Sequence, residues 1–270
     1  QHHSSAASDV YKRQIVDRFE DTILFDTESE LLETFLQLID DADVMSGWNS
    51  EGFDIPYLVN RIARTMGKEH TRRFCLWGKY PRRREYEKYG KVQETYDTIG
   101  RLQLDYMQLY QKYTYHEMHS YSLDAIGEYE LGERKTEYQG TLDQLYNNDF
   151  ETFIQYSRQD VDLLVRMDKK LQFIDLANVI AHDNTVLVQT TMGAVAVTDQ
   201  AILNEAHGRG LICPDKQHDK VQKHYPQTCT AAGAYVATPK KGKHEWIGSM
   251  DLNSLYPVSY THLRAHETTC

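Results

Sequence analysis

Two carboxylates in this 270-residue chain stand at positions where an acid could do chemistry. Asp54 closes the stretch G-W-N-S-E-G-F-D, between an apolar run ending at Trp48 and a helical stripe. An Asp before a helix is first of all a good N-cap, and position alone favours that reading. Asn49 and Phe53, in the spacing N-x-x-x-F-D, add an amide and an aromatic ring beside the same carboxylate, so a loop-borne ligand is the alternative. Asp160 follows Tyr156 by one helical turn and shares a face with Phe153, Leu164, Met167 and Leu171. A carboxylate in an otherwise apolar stripe has to be neutralised by a proton, a cationic side chain or a metal ion. An Arg or Lys partner and a bound metal both remain open. Asp162 points elsewhere and is expected on the solvated face. A third acid, Asp251 in E-W-I-G-S-M-D-L-N-S-L-Y-P, lies at the edge of an apolar stretch, where an Asp-Asn-Ser turn is the plain reading.

The elements that must hold these residues follow from periodicity. Leu31, Leu32, Phe35, Leu38 and Ile39 recur at helical spacing over residues 28–39, and residues 43–48 read as a buried strand. A helix over residues 55–66 places Ile55, Leu58, Val59, Ile62, Ala63 and Met66 on one stripe, with Pro56 tolerated in its first turn. A second strand is expected over residues 98–104 and helices over 106–113, 122–131 and 148–173. This alternation predicts an α/β domain with ligands gathered at strand ends, the strand order being left open. Glycine and proline become frequent after Gly193, and residues 211–246 read as short strands and turns joining two domains.

Composition narrows the class. Hydrophobic residues make up 40% and aromatics 11%, enough for a packed core. No apolar run approaches the roughly 18 residues of a membrane span, so a soluble cytoplasmic protein is expected. Cys75, Cys213, Cys229 and Cys270 are scattered without C-x-x-C spacing, which argues against a zinc site or disulfide framework. The net charge of −10 argues against a uniformly DNA-binding surface. Residues 68–91 depart from it: Arg72, Arg73, Lys79, Arg82, Arg83, Arg84 and Lys88 alternate with Phe74, Trp77, Tyr80, Tyr86 and Tyr89. Such a run suits either a solvated hairpin or loop, or a single strand whose phosphates meet cations while its bases stack on rings.

Residues 1–14, containing S-S-A-A-S-D-V-Y-K-R-Q, and residues 258–270, beginning V-S-Y-T-H-L-R-A-H-E-T, resemble translated sequencing-adapter read-through. Both are expected to be foreign to the fold.

Taken together, N-S-E-G-F-D and Y-S-R-Q-D resemble the second and third exonuclease motifs of family B DNA polymerases of the tailed-phage, T-even-like type, in order and in their separation of about a hundred residues. L-D-Y-M-Q-L-Y-Q-K-Y and H-S-Y-S-L-D-A-I-G-E-Y-E-L-G-E-R-K, between them, resemble further parts of that family. The resemblance implies an RNase H-like 3′→5′ exonuclease domain, a mixed sheet with flanking helices, over residues 15–190. A linker over 191–244 and the start of a polymerase palm over 245–257 would follow. It implies Asp54 and Asp160 as metal ligands and Tyr156 as the group orienting the attacking water. Asn49 and Phe53 would touch the DNA. Two Mg2+ or Mn2+ ions per active site suit such chemistry, since hydrolysis of a phosphodiester builds charge on both the attacking and leaving oxygens. The family's first motif, D-x-E, has no counterpart: Asp26 and Glu28 spell D-T-E without a following apolar strand. Little or no nuclease activity is therefore expected from the chain itself.

D-L-N-S-L-Y-P resembles polymerase motif A. The resemblance implies that Asp251 and the Leu252 carbonyl bind catalytic metals. Ser254, Leu255 and Tyr256 would contact the incoming nucleotide, Tyr256 packing on its sugar. In T-A-A-G-A-Y, Gly233 and Tyr235 fit a template-contacting linker motif, although Ala231 replaces its aromatic residue. Primer-template DNA, a single-stranded 3′ end, deoxynucleoside triphosphates and replisome proteins such as a sliding clamp are the implied partners. The competing readings are a stand-alone exonuclease of the same carboxylate class and a noncatalytic DNA-binding module.

Overall fold

The computed structural model describes residues 6–19, 21–88, 90–134, 140–214 and 237–248. The chain divides into two units, Gln1–Pro214 and Asp215–Cys270.

In the first unit, helix α1 (Ala6–Val16) is followed by α2 (Glu28–Leu38), strand β1 (Val44–Gly47) and α3 (Asp54–Thr65). A 3-10 helix (Lys68–Phe74) leads into the hairpin β2 (Arg82–Lys88) and β3 (Lys91–Asp97), then into β4 (Leu102–Asp105) and α4 (Tyr106–Tyr113). Helices α5 (Leu123–Leu131), α6 (Leu142–Asn148), α7 (Phe150–Leu171) and α8 (Phe173–Asn184) complete the core, followed by a second 3-10 helix (Val188–Met192) and α9 (Ala194–Gly208). The expected α/β alternation is present. Parallel and antiparallel pairings both occur, but in separate two-stranded sheets among the described residues: β1 with β4, and β2 with β3. The hairpin strand R-R-R-E-Y-E-K has no continuous apolar face to lay against the parallel pair, which keeps it apart.

The parallel register sets Gly47 opposite Asp105, so both strands end side by side at their carboxyl ends. Arg101, almost fully buried, fixes the entry to the pair. Its guanidinium donates to the carbonyls of Ile39, Asp40 and Ala42 where α2 ends.

Among the described residues, three apolar clusters divide the burial. Leu32 and Leu36 of α2 pack with Ile55, Val59 and Ile62 of α3 and with Phe74. Leu104, Tyr106, Leu109, Tyr110, Ile126, Met167, Phe173 and Ala177 form a second cluster, with Trp48 against its side. Ile15 and Val16 meet Phe150 and Ile154 in a third. The 22-residue α7 thus serves two clusters, one at each end.

Two local expectations needed correction, the linker and the length of the long helix. Ala194–Gly208, inside the stretch read as a linker, is a 15-residue helix. Its A-V-A-V-T-D-Q-A-I-L-N-E-A-H-G run is rich in good helix formers and starts just after Gly193, where punctuation was expected. The long helix expected over 148–173 breaks at Gln172, whose φ of 53° is left-handed, and α8 begins there. Asp26-Thr27-Glu28 is a helix start: the Thr27 hydroxyl accepts from the Glu30 N–H at 3.3 Å, and Glu28 pairs with Arg61. Residues of the segment expected to be foreign enter α1, which runs on into buried Ile15 and Val16.

In the second unit only residues 237–248 are described. They carry no helix or strand, and the His244 ring lies 2.9 Å from the Lys240 carbonyl oxygen. Gly233, Tyr235, Asp251, Leu252, Ser254, Leu255 and Tyr256 lie outside the described residues.

Candidate functional site

The loop from β1 to α3 is built by residues that do not themselves look chemical. Two glycines make it tight: a Cβ on Gly47 would stand 2.9 Å from the Ser50 Cβ, and one on Gly52 would stand 2.8 Å from the Asn49 side-chain oxygen. Asn49 takes a left-handed φ of 60°, which Asn tolerates better than most residues. Its carbonyl accepts from the N–H groups of Gly52 and Phe53, both at 3.1 Å.

Asp105 locks this loop. Its carboxylate, 5% exposed, accepts from the N–H of Asn49 at 3.0 Å and of Glu51 at 3.2 Å. It also caps α4 by accepting from Met107 N–H at 3.0 Å. Burial raises the pKa of this acid above the ordinary aspartate value, while the three N–H groups pull against the rise. Sequence reasoning passed over Asp105. An Asp between a strand and a helix is the signature of a cap, which it is; its second task depends on the parallel pairing.

Glu51 ties the loop to its surroundings. The Thr95 hydroxyl donates to its carbonyl at 2.8 Å, Arg84 pairs with its carboxylate and the Gln108 amide donates to the other oxygen. Arg84 is one of the basic residues for which contact with phosphates was an open reading. In the structure Arg82 pairs with Asp97 at 2.9 Å, Arg83 with Glu94 at 2.8 Å and Arg73 with Glu33 at 2.6 Å. This stretch supplies a hairpin whose arginines are largely engaged by carboxylates.

The N-cap reading of Asp54 does not hold. Helix α3 begins at Asp54 itself, its N-cap is Phe53, and no side chain caps the end. Asp54 occupies the first turn, where the helix dipole favours a negative charge. Its surface is exposed, yet nearby protein atoms remove enough hydration to raise its pKa above the ordinary value. Phe53 and Tyr57 stand out into solvent beside it, 63% and 55% exposed, with ring centroids 5.9 Å apart and planes within 10°.

Tyr156 and Asp160 lie on α7, one turn apart and half-buried. Leu163 and Met167 lie on the same helix face as these two, whereas Phe150 and Ile154 point to a different cluster, so Tyr156 and Asp160 stand within the apolar stripe, as expected. Asp162 is exposed, as expected, 3.4 Å from Arg166. Thus Asn49, Phe53 and Asp54 share one loop, and Tyr156 and Asp160 share one helix face. Among the described residues no group of three or more His, Cys, Asp or Glu side chains is placed to hold a metal ion. Asp54 is a suitable oxygen donor, but these side chains do not by themselves close a cation site.

A parallel strand pair thus ends at an acid-bearing loop and is followed, further along the chain, by a long helix with a second acid. Residues 2–126 match the model of the exonuclease domain of family B DNA polymerases, a span that contains Asn49, Phe53, Asp54 and Asp105 but not α7. The chain is 32% identical to the DNA-directed DNA polymerase of Escherichia phage RB69 and 30% identical to that of Enterobacteria phage T4. Each similarity runs over 235 residues, covering 86% of this chain and 25% of the relative. It is also 30% identical over 258 residues to the DNA polymerase delta catalytic subunit of Arabidopsis thaliana, covering 88% of this chain and 22% of that protein. The match to that exonuclease domain takes in the first part of the chain, and similarity to DNA polymerases extends over most of its length. It spans about a quarter of the length of the phage relatives it matches.

Proposed function

We propose that the first unit is the 3′→5′ proofreading exonuclease of a replicative DNA-directed DNA polymerase, with an RNase H-like fold over residues 15–190, and that the palm begins at 245–257 after a linker. The observation that carries this reading is the Asn49–Asp54 loop: an acid, an amide and an exposed ring are held at the end of a parallel strand pair, within the span matching a polymerase exonuclease domain. Asp54 and Asp160 are read as oxygen ligands of divalent cations, Mg2+ or Mn2+, and Tyr156 as the hydroxyl that orients the attacking water. Tyrosine suits orientation better than base catalysis, because the ordinary phenol pKa lies near 10. When bound, the ions would supply charge stabilisation at the attacking and leaving oxygens.

The chain carries no counterpart of the family's D-x-E motif, so the isolated chain is expected to hydrolyse DNA little or not at all. Asp251 and Leu252 as palm metal ligands, Ser254, Leu255 and Tyr256 as nucleotide contacts, and Gly233 with Tyr235 as DNA contacts rest on the motif resemblance. So do primer-template DNA, deoxynucleoside triphosphates, a sliding clamp and a cytoplasmic location. Among the described residues no helix is long and apolar enough to cross a membrane.

Mn2+ titration of the full-length parent polymerase, followed by electron paramagnetic resonance, tests the ligand assignment. Asp160→Ala is expected to lose bound Mn2+ and Asp162→Ala to keep it. Equal binding by wild type and Asp160→Ala would refute the role of Asp160.

A further inference from the structure

Helix α3 has two faces. Ile55, Val59 and Ile62 are buried against α2 and Phe74, whereas Phe53, Tyr57, Asn60 and Arg64 face solvent. Gly52, Phe53, Pro56, Tyr57, Asn60, Arg61 and Arg64 line a shallow depression of about 300 Å³ on that outer face. The two rings stack on each other. Neither contributes to the apolar clusters of the core, so their burial does not explain them.

The charges along the same face sort themselves. Arg61 is neutralised by Glu28. The Asn60 side-chain oxygen accepts from the Tyr96 hydroxyl at 3.1 Å, which fixes the amide. Arg64 has no ion-pair partner among the described residues and is exposed one turn beyond Asn60. From Phe53 to Arg64 the helix rises about 16 Å.

We infer that the outer face of α3 is a track for a single-stranded nucleic-acid end running toward Asp54, with Tyr57 as a second stacking ring behind Phe53 and Arg64 as a phosphate contact. The inference rests on the exonuclease reading of the same loop. Two parallel rings present a π-face to an unpaired base, and a cation further along the helix meets the backbone of the following nucleotides. A duplex, whose bases are already stacked, would gain only the phosphate term and bind less well.

The test is fluorescence anisotropy of a 5′-labelled oligodeoxythymidylate titrated with the 270-residue chain in EDTA, where metal and cleavage play no part. Tyr57→Ala is expected to weaken binding about 5- to 100-fold and Tyr57→Phe to bind like wild type. Arg64→Ala should weaken binding and lower the salt dependence by about one phosphate contact. Circular dichroism of each variant separates misfolding from lost contact. Wild-type chain that fails to bind the oligonucleotide, or Tyr57→Ala and Arg64→Ala variants that bind as wild type does, would overturn the track. Because Mn2+ binding is measured separately on Asp54 and Asp160 variants, failure of the track and failure of the metal assignment give different results.

Discussion

The two halves of the candidate site are built in opposite ways. The Asn49–Asp54 loop is held by distant residues: Asp105 grips two of its N–H groups, Glu51 reaches the hairpin and α4, and two glycines leave no room for a Cβ. Tyr156 and Asp160 need only the regularity of α7, whose buried residues lie in two separate clusters. The geometry of the loop therefore depends on residues outside the proposed site. The geometry on the helix depends mainly on α7 itself.

That contrast can be broken or sharpened by substitution. The largest effect is expected from Asp105→Ala, which strips three N–H groups of their acceptor and removes the cap of α4. Urea unfolding should show a loss of about 3 kcal/mol. A loss below about 1 kcal/mol would mean that the loop holds itself. Gly47→Ala comes next at about 1–2 kcal/mol, because its new Cβ meets a Cβ that cannot swing away. At Gly52 the obstacle is the tip of the Asn49 side chain, so Gly52→Ala should cost less in stability while displacing that amide.

A smaller effect concerns pH. The folded-state pKa of Asp105 is raised above the ordinary value near 3.9. As pH rises through the window between the unfolded and folded pKa values, the unfolded chain releases its proton first. Stability contributed by the protonated form is then lost with rising pH. Wild-type stability minus that of Asp105→Asn should fall across this window just above pH 4, in urea titrations repeated at successive pH values. A difference that rises there would contradict the assigned shift. The smallest effect belongs to Asp162→Ala: this acid is exposed and pairs with Arg166 on the surface, so the thermal midpoint and Mn2+ binding should both stay where they are.

Much of this comparison was legible in the residues. The stripe of Ile55, Val59 and Ile62 marked α3, and Tyr106 to Tyr113 was recognisable as a helix from its periodicity. What escaped was set by long-range geometry. The true start of α3 lies one residue from the expected cap, with Phe53 at the N-cap. The second task of Asp105 exists only because β4 lies parallel to β1, a pairing that local spacing does not encode. The engagement of the hairpin arginines by Glu51, Glu94 and Asp97 likewise arises on folding, and it left Arg64, outside the conspicuous basic run, as the available cation of the α3 face.

The central claim, that the loop acid and the helix acid serve one cation-dependent site, is tested most directly by a double-mutant cycle on the Mn2+ affinity of the full-length parent polymerase with Asp54→Ala, Asp160→Ala and the double variant. If the two acids act together, the double variant loses little more than either single one, and the losses are strongly non-additive. Additive losses, or affinity unchanged in either single variant, would contradict the claim.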